Sequence, residues 1–159
     1  MLFFLDASAI MKRYYPERGA GTIEALLSSS PATDRFYVSE LSLLEVTAGI
    51  VRRVAPGVVA SDALAQFRHD SGPLFHVRPL GAGVLEVALQ VDETYRLRSG
   101  DAIQLGTALH SASISAPIPI IMVTSDRELL AAARQSGLTT LDPTHPTAMA
   151  QLQTLRAAP

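Results

Sequence analysis

Four acidic residues of this chain fall where strands hand over to helices or within apolar helical surroundings. Asp6 ends the apolar run Leu2 to Leu5, and Asp126 follows Ile120 to Val123 with only Thr124 and Ser125 between. Asp101 lies in the first turn of a helix opened by Ser99, and Glu45 sits inside a helix where Leu41, Ala48 and Gly49 are its near neighbours. A carboxylate that ends an apolar strand is drawn out of water and needs a cation, a metal or several donors to stay ionised. Two like charges about 4 Å apart repel by roughly 4 kcal/mol at an effective dielectric near 20, so acids gathered at one place call for a divalent cation. With no cysteine in the chain, oxygen ligands favour Mg²⁺ or Mn²⁺ over zinc. A metal held this way binds a phosphate oxygen, lowers the pKa of a coordinated water and stabilises charge during in-line attack on phosphorus, the chemistry of a phosphodiesterase or nuclease. Each acid also has a plainer use. Aspartate at a helix start serves the helix dipole, and a glutamate such as Glu45 also suits an exposed helix rim.

The elements that must position these acids can be read from apolar patterning. Leu2 to Leu5 reads as a buried strand feeding a helix from Ala9 to Tyr15, stopped by Pro16. A helix over about Ala20 to Leu27 is closed by the Ser28 to Pro31 loop; Phe36 to Val38 is a second strand, followed by a helix from about Leu41 to Val54 that Ala55-Pro56-Gly57 ends. Ser61 N-caps a helix to about Asp70, Phe75 to Val77 is a short strand, Gly83 to Arg96 is helical, and Ser99 caps a helix to about Ser113. Ile118 to Val123 is a β-branched strand, Ser125 with Glu128 forms a capping box for a helix to about Gln135, and Gly137 stands at its C-cap. Thr139 to Leu141 gives a last strand and the tail from Thr147 a weak helix. Strands alternating with helices argue for an α/β fold with a parallel sheet and helices on both faces.

Composition narrows the class. The 159 residues, 48% hydrophobic and 18% charged, suit one domain spanning 1–159 with a substantial core. Thirteen basic against fifteen acidic residues give a net charge of −2, so any contact with nucleic acid is local rather than a global positive field. Without cysteine, disulfide scaffolds and thiolate metal sites are excluded. Met1 to Leu5 runs into Asp6 with no basic region before it, so it does not read as a signal peptide. The stretch from Ala102 to Ser125 lacks charge but carries Gln104, His110, Pro117 and Pro119, so it does not read as a membrane span, and the expected compartment is the cytoplasm.

Four blocks, in order, resemble one family. They are Leu5-Asp6-Ala7-Ser8-Ala9-Ile10 with Lys12-Arg13-Tyr14 and Pro16-Glu17; Ser39-Glu40-Leu41-Ser42-Leu43-Leu44-Glu45-Val46; Leu97-Arg98-Ser99-Gly100-Asp101-Ala102-Ile103-Gln104-Leu105; and Val123-Thr124-Ser125-Asp126-Arg127-Glu128-Leu129. Together they resemble PIN-domain ribonucleases of the VapC type, the toxins of bacterial toxin–antitoxin pairs. The resemblance implies a PIN-like three-layer α/β/α fold around a mostly parallel sheet of four to five strands. It matches Asp6, Glu45, Asp101 and Asp126 to an acidic quartet that is both catalytic and metal-binding, holding one or two Mg²⁺ or Mn²⁺ ions and cleaving single-stranded regions of RNA such as tRNA. Ser8 and Thr124 match supporting hydroxyls. Glu40 competes with Glu45 for the second acid; Glu45 is preferred because it lies inside the helix in a leucine-rich context. Gln104 stands where many relatives carry histidine.

The resemblance further implies a homodimer and a VapB-like antitoxin whose tail covers the acidic groove. Lys12, Arg13, Arg98 and Arg127, with Arg52, Arg53 and Arg96, put positive charge beside the acids in sequence and offer contacts to RNA phosphates. Tyr14 and Tyr15 offer rings for base stacking, or belong to a core or dimer interface. His69, His76, His110 and His145 lie outside the matching blocks and are read as structural or surface residues. A phosphatase of the haloacid-dehalogenase kind fits less well, since Ser8 stands two residues after Asp6 and the only lysine is Lys12; the same lack of a late lysine disfavours a response-regulator receiver. The remaining alternative is a PIN-like module that binds RNA or protein without cutting.

Overall fold

The computed structural model describes residues 1–28, 31, 33–54 and 61–157. Its chain order is β1 (Leu2–Leu5), α1 (Ala7–Tyr14), α2 (Ala20–Ser28), β2 (Arg35–Ser39), α3 (Glu40–Arg52), α4 (Ser61–Asp70), β3 (Phe75–Arg78), α5 (Ala82–Tyr95), α6 (Ser99–Ser115), β4 (Ile120–Val123), α7 (Arg127–Gln135), β5 (Thr139–Leu141) and α8 (Ala148–Ala157). The strands form one five-stranded sheet in the order β3-β2-β1-β4-β5, parallel throughout. The fold is a three-layer α/β/α sandwich, as the alternation of strands and helices requires.

Period-two alternation in the strands makes the two faces. Phe3, Leu5, Phe36, Val38, Ile121, Val123 and Leu141 pack on one side against α1, α2, α3, α4 and α8. Leu2, Phe4, Ile120 and Met122 point to the other side, where residues of α5, α6 and α7 cover them. β1 and β4 are buried on both faces, which is why Leu2–Leu5 and Ile120–Val123 read as continuous apolar runs. The chain builds outward from β1 through β2 to β3, then returns to the other side of β1 for β4 and β5. In such sheets the crevice for ligands opens at the carboxyl ends of the strands where that order reverses. Asp6 and Thr124 stand there: Leu5 pairs with Val123, and the Asp6 N–H bonds the Val123 carbonyl at 3.2 Å.

Several boundaries differ from the sequence reading. Helix α1 starts at Ala7 because Asp6 itself is the N-cap, its carboxylate accepting from Ala9 N–H. The capping box at Ser125 and Glu128 does not form: Asp126 caps α7, accepting from Leu129 N–H, and Ser125 lies one residue outside. Ser99 is the first residue of α6 rather than its cap, a place taken by Arg98 with no side-chain cap bond. β4 begins at Ile120, two residues later than expected. The Ala55-Pro56-Gly57 stop, Ser29, Ser30 and the side chain of Ser61 lie outside the described residues. Among the described residues no helix is long and apolar enough to cross a membrane.

Helix α6 is held in place by α5. A Cβ on Gly106 would lie 2.8 Å from the Ala88 backbone, so only glycine lets the two helices approach this closely. That contact sets where the first turn of α6, with Asp101, meets the sheet.

Candidate active site

Asp6 is 5% exposed and all its bonds come from neutral donors. Its Oδ1 accepts from Ser8 Oγ and from Ala9 N–H, each at 2.9 Å, and its Oδ2 accepts from Thr124 Oγ1 at 2.9 Å. Burial pushes the carboxyl up to about 6, against the lowering effect of these hydrogen bonds. The same hydroxyls stitch β1 to β4: Ser8 Oγ lies 3.4 Å from Thr124 Oγ1 and accepts from Ser125 N–H at 3.0 Å, while Thr124 Oγ1 accepts from Asp126 N–H at 3.1 Å. Thus Asp6 and Asp126, 120 positions apart, are joined through one threonine.

The other two acids arrive from helices. Glu45 Oε2 accepts from Gln104 Nε2 at 2.7 Å, and Gln104 in turn exchanges hydrogen bonds with Ser42 at 3.0 and 3.1 Å. Ser42 and Gln104 are both buried, so this network fixes Glu45 from below. Ser42 lies three residues before Glu45, and Gln104 three after Asp101, so each pair shares a helix face. Sequence reading noted Gln104 but missed Ser42, whose signal was only that spacing. Glu45 Oε1 also approaches Gly100, where an added Cβ would stand 3.1 Å away. Asp101, half-buried, has its carboxyl raised by burial first, then by the charges of Asp126 and Glu45; Arg98 acts against them. Asp101, Asp126 and Glu45 therefore share one field. Glu40 turns elsewhere, its Oε2 accepting from Leu80 N–H at 2.9 Å.

None of these four acids is in a salt bridge among the described residues, and the buried Ser125 Oγ between Thr124 and Asp126 has no hydrogen-bond partner. No three acids or histidines among the described residues stand close enough to form a ready metal cage. In kind the donors nonetheless fit a hard divalent cation: oxygen atoms only, from separate elements, with negative charge that no ion pair among the described residues neutralises and that Arg98 only partly offsets at Asp101. Asp6, Asp101, Asp126 and Glu45 are the residues that would hold it.

The basic residues divide. Lys12 is buried with Nζ 3.0 Å from Glu17 Oε1, and Arg13 bonds Asp70 at 2.7 Å and Glu24 at 3.2 Å. The structure places these two in ion pairs within the chain, Lys12 with Glu17 and Arg13 with Asp70 and Glu24. Burial alone would raise the Asp70 carboxyl, but hydrogen bonds from Arg13 and Gln66, with the Arg13 charge, hold it below the ordinary range. Tyr14 donates to Asp70 at 3.1 Å and packs edge-on against Phe67, so it is a core residue; Tyr15 lies beneath the Arg53 guanidinium at 4.3 Å. Arg98 and Arg127 are exposed and free of ion pairs within the described residues. No histidine among the described hydrogen bonds touches the four acids; His76, for one, packs on Tyr37.

Comparison with known proteins adds a family and a set of folds. The family described as "PIN domain" matches residues 3–135. A toxin–antitoxin complex from Klebsiella pneumoniae is similar over 88% of this chain and 96% of that one, at 17% identity and a TM-score of 0.59. VapBC-1 from nontypeable Haemophilus influenzae is similar over 91% and 100%, at 14% identity and a TM-score of 0.64. VapBC2 from Rickettsia felis, bound to a DNA fragment from its promoter, is similar over 88% and 97%, at 12% identity and a TM-score of 0.63. At these identities the likeness is one of fold. No curated protein sequence matches.

Proposed function

The chain belongs to the PIN domain family, and from that premise we propose that it is a Mg²⁺- or Mn²⁺-dependent endoribonuclease of the VapC toxin type, acting on single-stranded regions of RNA. The observation that carries the reading is the set of acids at the carboxyl edge of the sheet: Asp6 tied to the Asp126 backbone through Thr124, and Asp101 in the field of Asp126 and Glu45. When bound, a divalent ion would supply Lewis-acid activation of water and of the scissile phosphate. The chain's own part is positioning. Ser8, Thr124 and the Ala9 amide orient both oxygens of Asp6; Gln104 and Ser42 orient Glu45; the backbone amide of Leu129 orients Asp126. Asp101 and Asp126 are only half-buried, which leaves them accessible to a substrate phosphate. Arg98 and Arg127 stand on the rim, where they would hold phosphates flanking the scissile bond.

A VapB-like antitoxin and a second copy of the chain are the proposed partners. Two of the similar structures are described as VapBC assemblies, and Leu85 and Leu89 leave apolar surface exposed on α5. The test of the activity is direct. Purified protein should cleave single-stranded RNA with Mn²⁺, lose that activity in EDTA, and lose it in Asp101→Asn while circular dichroism stays native. Cleavage that survives both treatments rejects the reading. RNA binding without cleavage under any metal would instead favour a non-catalytic module.

A further inference from the structure

Beside the acids lies a cleft of about 360 Å³ of which the foregoing chemistry uses only Arg127; Leu130, Arg134, Asp142, His145, Thr147 and Gln151 complete its lining. Its position follows from the sheet. Val123 pairs with Leu141, and Thr124 N–H bonds the Leu141 carbonyl at 3.2 Å, so Asp142 begins the loop beside the Thr124–Asp126 turn on the same edge. Arg127 directly follows Asp126, and Arg134 stands seven residues further along α7, about 10 Å up the helix axis at 1.5 Å per residue. Two turns bring both arginines to one helix face, with Leu130 between them as an apolar floor.

The donors here are not spent on one another. Neither arginine is in an ion pair among the described residues. Arg134 gives only its Nε, to Thr140 Oγ1 at 2.9 Å, which fixes the guanidinium and leaves its terminal nitrogens available. Asp142 is the one acid of the lining, and its Oδ1 is committed to the Thr144 amide and hydroxyl at 2.8 and 2.7 Å. His145 Nδ1 accepts from Thr147 N–H at 3.3 Å and meets Thr147 Oγ1 at 2.8 Å, an assignment from the hydrogen-bond pattern that leaves Nε2 as the donor of the neutral ring. Gln151 is anchored through Nε2 to the Thr140 carbonyl at 2.8 Å. The cleft thus presents one cationic fork fixed on Thr140 and a second, exposed one at Arg127 around an apolar floor, a combination suited to phosphodiester oxygens.

We propose that this cleft is a subsite for the backbone of the RNA strand one nucleotide along from the scissile bond, with Arg127 and Arg134 clamping its phosphate. The inference rests on the endoribonuclease reading and adds to it the direction in which the strand leaves the acids, across α7 toward the β5–α8 loop.

Binding of a fluorescent single-stranded hexaribonucleotide to the Asp101→Asn protein, followed by anisotropy, tests it. Arg127→Gln and Arg134→Gln should each weaken binding several-fold and lower the slope of log affinity against log salt, and the double variant should lower it by about 0.7, the value for one phosphate contact on a single strand. Arg127 is exposed and has no ion pair among the described residues, so its variant should fold normally and keeps the test valid should Arg134→Gln disturb Thr140. Mn²⁺ affinity, read by calorimetry for Arg134→Gln with Asp101 intact, should match that of the unsubstituted protein. If RNA binds but both variants match the parent in affinity and salt slope, the cleft assignment fails while the nuclease reading stands. If the parent binds no RNA at any salt, both fall. An acidic peptide that competes for the arginines while RNA binding ignores them would overturn the assignment in favour of a protein ligand.

Discussion

Asp6 sets folding against the proposed function. Its carboxyl is buried, receives three neutral donors, and titrates near 6 rather than at its ordinary 3.8. Because the folded value is the higher one, the ionised form destabilises the metal-free protein. That cost is complete above pH 6, is relieved as pH falls from about 6 toward 3.8, and is gone below it. A shift of this size corresponds to on the order of 3 kcal/mol. Asp6→Asn, which keeps the cap and the shape, should therefore raise the urea-measured stability of metal-free protein at pH 7.5 by about 1–3 kcal/mol while abolishing cleavage; a loss of stability would show that the carboxylate is not strained. Gln104 presents the complementary case, a neutral residue that orients an acid. Gln104→Ala removes the 2.7 Å bond to Glu45 and leaves Ser42 unpaired, so calorimetry should find Mn²⁺ affinity weakened about 10- to 100-fold, the usual penalty for losing an outer-shell orienter.

Helices α5 and α6 show how an element far from the acids sets their geometry. Gly106 and Ala88 touch backbone to backbone, and Asp101 sits on the same α6 five residues earlier. Gly106→Val would press side-chain carbons into the Ala88 main chain, force the helices apart, and tilt Asp101 away from Asp126. The expected destabilisation is about 1–3 kcal/mol for overpacking, measured by urea unfolding, with a fall in cleavage larger than the unfolded fraction explains. An unchanged midpoint would mean that the helices are free to separate without consequence. Caps act at the same scale. Asp6 and Asp126 each begin a helix by accepting from the third residue on, Ala9 and Leu129. The plain structural use of an aspartate at a helix start is thus real here: it ties one carboxylate oxygen of each residue to its helix, while the other oxygen of Asp6 accepts from Thr124.

Across the whole molecule, the proposed metal binding and pH would be linked through the buried acid. At pH 7.5 Asp6 is largely ionised and a divalent ion meets a ready carboxylate; at pH 5 the proton must leave first. The rise in melting temperature on adding 5 mM Mn²⁺ (roughly, a concentration well above expected affinity) should consequently be clear at pH 7.5 and much smaller at pH 5. Equal shifts at both values would place the metal away from Asp6. The layered α/β/α plan itself was legible before any coordinates, because Leu2–Leu5 and Ile120–Val123 are apolar without interruption and strands alternate with helices. The acids at strand ends were legible for the same reason: a charge that ends such a run has nowhere to be but the edge. Period and type are local properties of the chain, so one dimension was enough to determine them. Register, crossing angle and ion pairing are not local. Only the folded sheet decided that Thr124 bridges Asp6 to Asp126, that Ser42 and Gln104 meet across two helices to hold Glu45, and that Lys12 and Arg13 pair with Glu17 and Asp70. Each of those contacts joins side chains whose distance is fixed by packing, and packing depends on every layer at once.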